Sequence, residues 1–274
     1  MSRLSARFAR LRDDQRKALI PYITAGDPHP DITVPLMHRL VAAGADVLEL
    51  GVPFSDPIGD GPVIQLACER SLVHGTTLHD VLAMVRRFRE TDTDTPVVLM
   101  GYLNPVEVFG YAEFTAEAAQ AGVDGVLIVD LPPEESSGLL PLLHEHALDP
   151  IFLVAPTTTA QRMQRICDVA GGFVYYVSLK GVTGADVADT AEVAARIDAV
   201  RSHTGLPVGV GFGISTPEQA AAMSVAADAV VVGSALVRRI EADPSDHARI
   251  LDEIPALLAA MRAAMDRQMA VTPA

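Results

Sequence analysis

The sequence predicts an α/β fold: a single (β/α)8 TIM barrel domain over 1–274, with an extra N-terminal helix and a short helix after the eighth strand. Three observations carry this. Eight short, nearly continuous aliphatic runs recur along the chain, the pattern of parallel strands buried on both faces. Amphipathic helical patterns separate the runs, with no long linker or compositional break. The turn after the first run, Thr24-Ala25-Gly26-Asp27-Pro28, lacks the G-x-G-x-x-G pattern expected of an open nucleotide-binding sheet.

At the start of the chain, Leu4, Phe8 and Leu11 follow helical spacing. Asp13 and Asp14 interrupt the positive charge there, so the segment reads as a capping helix and not as an organelle transit peptide. The first strand is Leu-Ile-Pro-Tyr-Ile-Thr at 19–24, and the second, 46–50, carries Val47, Leu48 and Leu50. The third is Pro-Val-Val-Leu-Met at 96–100 and the fourth Asp-Gly-Val-Leu-Ile-Val at 124–129. Pro-Ile-Phe-Leu-Val at 150–154 and Phe-Val-Tyr-Tyr-Val at 173–177 follow. Pro-Val-Gly-Val-Gly at 207–211 and Asp-Ala-Val-Val-Val at 228–232 complete the set. Helical periodicity occupies 32–43, 63–73, 78–90, 111–120, 134–146, 160–169, 190–203 and 216–225. Ala235 to Ile240 form the short extra helix, and an apolar-periodic stretch at 247–265 closes the chain.

Composition narrows the function. Apolar residues make up 49% of the chain with 5% aromatics and no Trp, which fits an aliphatic α/β core. A formal charge of −14 argues against nucleic acid, whose phosphates would be repelled. No apolar run approaches the length of a membrane span. Cys68 and Cys167 lie far apart in helix-like surroundings, the usage of buried thiols in a reducing, cytoplasmic compartment.

The most informative stretch runs from Glu49 to Pro62. Glu49 interrupts an apolar strand, and a buried carboxylate needs either a partner or a proton-transfer role. Prolines 53, 57 and 62 stiffen the following loop and aim Asp60. The ordinary alternative is an Arg-paired strand-edge Glu and a solvated turn Asp. A barrel places chemistry at the C-terminal ends of its strands, and that location makes the two acids candidates for an acid–base pair.

Three glycine-containing segments follow the last three strands: Lys180-Gly181-Val182-Thr183-Gly184, Gly211-Phe212-Gly213 and Gly233-Ser234. Glycine lets backbone N–H groups approach a ligand, and Gly233-Ser234 opens a helix whose dipole favours an anion. A phosphate is the expected ligand; the alternative is that these glycines only close tight turns. Lys180 raises a rival reading, a Schiff-base lysine, although its segment reads as a loop. His144 and His146 lie two apart on a helical pattern and point apart, a poor metal geometry.

Together with Met100-Gly-Tyr-Leu-Asn-Pro105 and Asp130-Leu-Pro-Pro-Glu-Glu135, these motifs closely resemble the tryptophan synthase α-subunit family, in order and spacing from about Arg16 to the last helix. The resemblance implies cleavage of indole-3-glycerol phosphate to indole and glyceraldehyde 3-phosphate, with Glu49 and Asp60 catalytic and Tyr175 nearby. It implies phosphate on the backbone around Gly184, Phe212, Gly213, Gly233 and Ser234, and an indole slot involving Tyr22, Met100, Leu127, Val129, Leu153, Phe212 and Val232. Thr183 would orient Asp60 on loop closure. A β subunit carrying pyridoxal phosphate is the implied partner in an α2β2 complex, contacted through Pro53, Asp56, Asn104 and Pro132. No cofactor or metal is expected on this chain. Tyr22 stands where Phe is expected, and Val129 where Pro or Ala is usual, which bears on pocket shape. Two other functions remain to be weighed: another phosphate-binding barrel such as a Schiff-base aldolase using Lys180, and a non-catalytic activator of a β subunit.

Overall fold

A computed structural model describes residues 2–177, 190–211 and 213–271. Its strands are β1 (Ala18–Thr24), β2 (Leu48–Gly51), β3 (Val97–Gly101), β4 (Gly125–Ile128), β5 (Asp149–Val154), β6 (Val174–Val177), β7 (Val208–Gly211) and β8 (Ala229–Val232). They pair in parallel in sequence order, and β8 returns to β1 to close the barrel. Every run expected to be a strand is one, with ends displaced by at most two residues.

The helices are α1 (Arg3–Asp13), α2 (Pro30–Ala42), α3 (Pro62–Val73), α4 (Leu78–Arg89), α5 (Leu103–Phe109) and α6 (Tyr111–Ala121). They continue as α7 (Leu140–Glu145), α8 (Ala160–Val169), α9 (Thr190–Arg201), α10 (Pro217–Ala226), α11 (Ser234–Ala242) and α12 (His247–Val271). Two local expectations need correction. The stretch expected to be one helix over 134–146 is a 3-10 turn, Pro133–Gly138, followed by the short α7, because Ser136-Ser137-Gly138 are weak helix formers. Helix α5 was not anticipated; its seven residues, ended by Gly110 at φ 92°, are too few to display a period.

Strand periodicity divides the core into two layers. Residues such as Leu48, Leu50, Val126 and Val230 face outward and pack under the helices. Ile20, Val47, Val98, Leu127, Ile151, Phe173 and Val231 face inward and fill the axis. Helix α1 completes that inner layer: Leu4, Phe8 and Leu11 join it, with Phe8 5.8 Å from Phe173 between ring centres. Its first turn is capped by Ser2, whose side chain accepts the Ser5 N–H. The N-terminal end of the barrel is thereby closed.

The same end is stitched by three acids that just precede even-numbered strands. Asp46, Asp124 and Asp228 accept the backbone N–H groups of Leu19, Val97 and Val208 at 2.9, 2.8 and 3.0 Å. Each also meets an arginine from an outer helix: Arg262 at 3.1 Å, Arg89 at 2.8 Å and Arg201 at 3.1 Å. These acids have their partners, so the closed end is built for cohesion. The open end differs.

Candidate active site

Glu49 lies on β2 with Tyr22 of β1 beside it in register. It is 1% exposed, and its Oε1 finds no hydrogen-bond donor among the described residues. Burial penalises its charged form, and the nearby charge of Asp60 adds to this, so its pKa is pushed from 4.5 up to about 8. The Arg-paired alternative is thus set aside. A carboxylic acid that still holds its proton at neutral pH is what this strand presents.

Asp60 is aimed by a braced loop. Pro62 occupies the first turn of α3, and Gln65 from the same helix donates to the carbonyl oxygens of Asp60 (2.9 Å) and Pro57 (3.4 Å). The Asp60 N–H donates back to the Pro57 carbonyl at 3.0 Å. From beyond the end of β3, the Tyr102 hydroxyl accepts the Gly59 N–H at 2.9 Å and donates to Asp60 Oδ2 at 2.9 Å. Phe54 stacks on the Tyr102 ring, 5.4 Å between centres. Burial raises the Asp60 pKa, while the Tyr102 hydrogen bond opposes that rise by favouring the ionised form. Tyr102 was not foreseen: its partner lies 42 residues back, and only the closed barrel brings the two together.

The two acids share an open cavity at the C-terminal end of the strands, lined also by Tyr22, Met100, Tyr175 and Val231. Glycines let both tyrosines lean across neighbouring strands. A Cβ on Gly51 would collide with the Tyr22 hydroxyl, and one on Gly211 with that of Tyr175. Both phenols are held protonated, their pKa values raised chiefly by burial. Leu127, Val129 and Leu153 belong to the inner layer. Val232, expected in the slot, instead packs in the outer layer; strand parity turns Val231 inward in its place.

On the β7–β8 side, Gly213, Gly233 and Ser234 line the same cavity. Gly213 has φ +75°, a conformation that suits glycine, and Gly233 precedes the first residue of α11. Arg238, one turn into α11, also borders the cavity and had no place in the sequence reading. Thr183, Gly184 and Phe212, together with Lys180 and Gly181, lie outside the described residues. Among the described residues, no group of three or more His, Cys, Asp or Glu is placed to hold a metal ion.

The four expected partner contacts fall on the consecutive connections after β2, β3 and β4, Asn104 in the first turn of α5. Asp56 and Asn104 are exposed and Pro132 is half-buried, but Pro53 is buried and presents no surface in the isolated chain. The Phe54–Tyr102 stack joins the loops after β2 and β3, and the Leu103 N–H donates to Asp130 at 2.8 Å, joining those after β3 and β4.

A family model described as tryptophan synthase alpha chain matches residues 8–266. The chain is 63% identical to the tryptophan synthase alpha chain of Thioalkalivibrio sulfidiphilus, over 97% of this chain and 100% of that relative. It is 61% identical to that of Alkalilimnicola ehrlichii, over 97% of each. Among solved structures, the tryptophan synthase subunit alpha of Legionella pneumophila superposes with a TM-score of 0.92 at 49% identity, covering 97% of this chain and 99% of that one. A chain of Mycobacterium tuberculosis tryptophan synthase gives 0.87 at 38% identity, covering 96% and 98%.

Proposed function

The chain belongs to the tryptophan synthase alpha chain family, and from that premise we propose that Glu49 and Asp60 are its catalytic pair. Members of the family are lyases that cleave indole-3-glycerol phosphate to indole and glyceraldehyde 3-phosphate, and this is the activity of the chain. That reading stands over a Schiff-base aldolase and over a non-catalytic activator.

The observation that carries the assignment is the state of Glu49: buried, unpartnered at one oxygen and protonated at neutral pH, in a cavity it shares with a braced second acid. Cleavage needs a proton at indole C3, which turns the ring into an iminium-like electron sink. The carbon–carbon bond then breaks as the glycerol hydroxyl proton leaves. A protonated Glu49 delivers the first proton and, once ionised, accepts the second. Asp60, favoured as the carboxylate by Tyr102, suits the ring N1–H, where positive charge develops. Tyr22, Met100 and Tyr175 shape the apolar slot, with Leu127 in the layer around it. The phosphate rests on backbone donors at Gly213, Gly233 and Ser234. Gly184, Phe212 and Thr183 are assigned to the same subsite and its loop by resemblance alone.

We further propose that the whole chain is one barrel domain of a cytoplasmic α2β2 complex. In it, pyridoxal phosphate belongs to the β subunit, and the rim bearing Asp56, Asn104 and Pro132 meets that subunit. No helix among the described residues is long and apolar enough to cross a membrane. The test is indole release from indole-3-glycerol phosphate, measured with and without a β subunit. Wild-type protein should turn over slowly alone and faster with the partner. Asp56→Ala should keep the slow rate and lose activation, whereas equal losses in both conditions would move the interface elsewhere.

A further inference from the structure

Arg238 is the only cation among the described residues that line the mouth cavity. It lies four residues after Ser234 on α11, which puts both on one helix face. Its guanidinium makes no hydrogen bond or ion pair with any described residue, unlike the neighbouring Arg239, which donates to the Ala235 carbonyl at 2.9 Å. What distinguishes Arg238 from the other exposed arginines is that its side chain borders this cavity. The cavity it borders already holds Asp60, favoured as the carboxylate by Tyr102, and that negative charge opposes an anionic substrate. Backbone N–H groups supply only partial positive charge against that field.

We propose that Arg238 is a specificity residue of the phosphate subsite: its guanidinium meets phosphate oxygens beside the N–H groups of Gly233 and Ser234 and selects a doubly ionised head group. This rests on the reading of that quadrant as the phosphate site. Arginine suits the role, because its planar donors match phosphate geometry and it stays charged at every working pH. It is also exposed, so it can attract the incoming anion from solvent.

The experiment compares wild type, Arg238→Gln and Arg238→Lys in kcat and KM for indole-3-glycerol phosphate, in inhibition by glycerol 3-phosphate, and in binding of indole alone. Arg238→Gln should raise KM and the glycerol 3-phosphate inhibition constant by about three- to tenfold, since the site is part-solvated. Its kcat and indole affinity should be unchanged, and added salt should weaken phosphate binding less than in wild type. Arg238→Lys should recover most of the loss. Unchanged KM and inhibition in Arg238→Gln would overturn the proposal, and so would a parallel loss of indole binding with a lower melting temperature, which marks a merely structural role. A wild-type protein insensitive to glycerol 3-phosphate would instead remove the phosphate quadrant itself, and Arg238 with it.

Discussion

Replacing Glu49 with Gln should abolish most activity and, at neutral pH, make the protein more stable. The unfolded chain releases the Glu49 proton near 4.5, whereas the folded chain holds it to about 8. Below 4.5 both states are protonated, and the group contributes no pH dependence. Between the two values the folded state binds more protons, so stability falls as pH rises, by about 1.4 kcal/mol per unit. Above about 8 both states are ionised and the loss levels off, at about 5 kcal/mol for a gap of roughly 3.5 units. At pH 7 about 3 kcal/mol of that cost is already present. Gln has nearly the shape of the protonated acid and never ionises, so the variant should escape the cost. With about 2–4 °C per kcal/mol for a domain of this size, its melting temperature should exceed that of wild type by roughly 6–12 °C at pH 7. At pH 5 the two should nearly coincide. The assay is thermal unfolding followed by circular dichroism from pH 5 to 8.5 at fixed ionic strength, beside indole release, which should fall about 10²–10⁴-fold. An offset that does not widen with pH would refute the raised pKa. More than roughly a tenth of the wild-type rate would refute the catalytic role.

Two further substitutions probe the supports at either end. Tyr102→Phe keeps the stack on Phe54 but removes the hydrogen bond that favours ionised Asp60. The acid limb of the pH–rate profile should move to higher pH, with about a tenfold loss at neutral pH; an unmoved profile would show that the loop alone sets the state of Asp60. Arg262→Met leaves Asp46 buried without its cation, and should cost about 3–5 kcal/mol in urea unfolding while the folded fraction cleaves normally. A shift of the urea midpoint too small to measure would mean that Arg262 is dispensable there.

The strands and the first acid were legible because their signals are local. Aliphatic runs separated by amphipathic stretches report parallel strands, and a Glu inside such a run stands out against its neighbours. Asp60 was legible through the prolines around it. What escaped needed register or long-range contact. Val231 and Val232 are identical side chains, and only strand parity decides which of them meets the cavity. Tyr102 lies within a quoted motif, yet its hydroxyl acquires meaning only when β2 and β3 lie side by side. Asp46, Asp124 and Asp228 stand first in their expected strand runs, and nothing local marks them until each is seen to take an N–H from the strand before it. Arg238 lies inside the expected short helix, and only the packing of that helix against the barrel mouth brings it to the cavity.

Helix α1 seals the floor of the barrel with Leu4, Phe8 and Leu11, and its consequence concerns traffic. With the axis filled and the floor shut, the cavity is a cul-de-sac. Substrate comes in and both products depart by one doorway, so whatever stands over that doorway governs their destination. A partner need not reach inside to capture the indole; covering the threshold is enough.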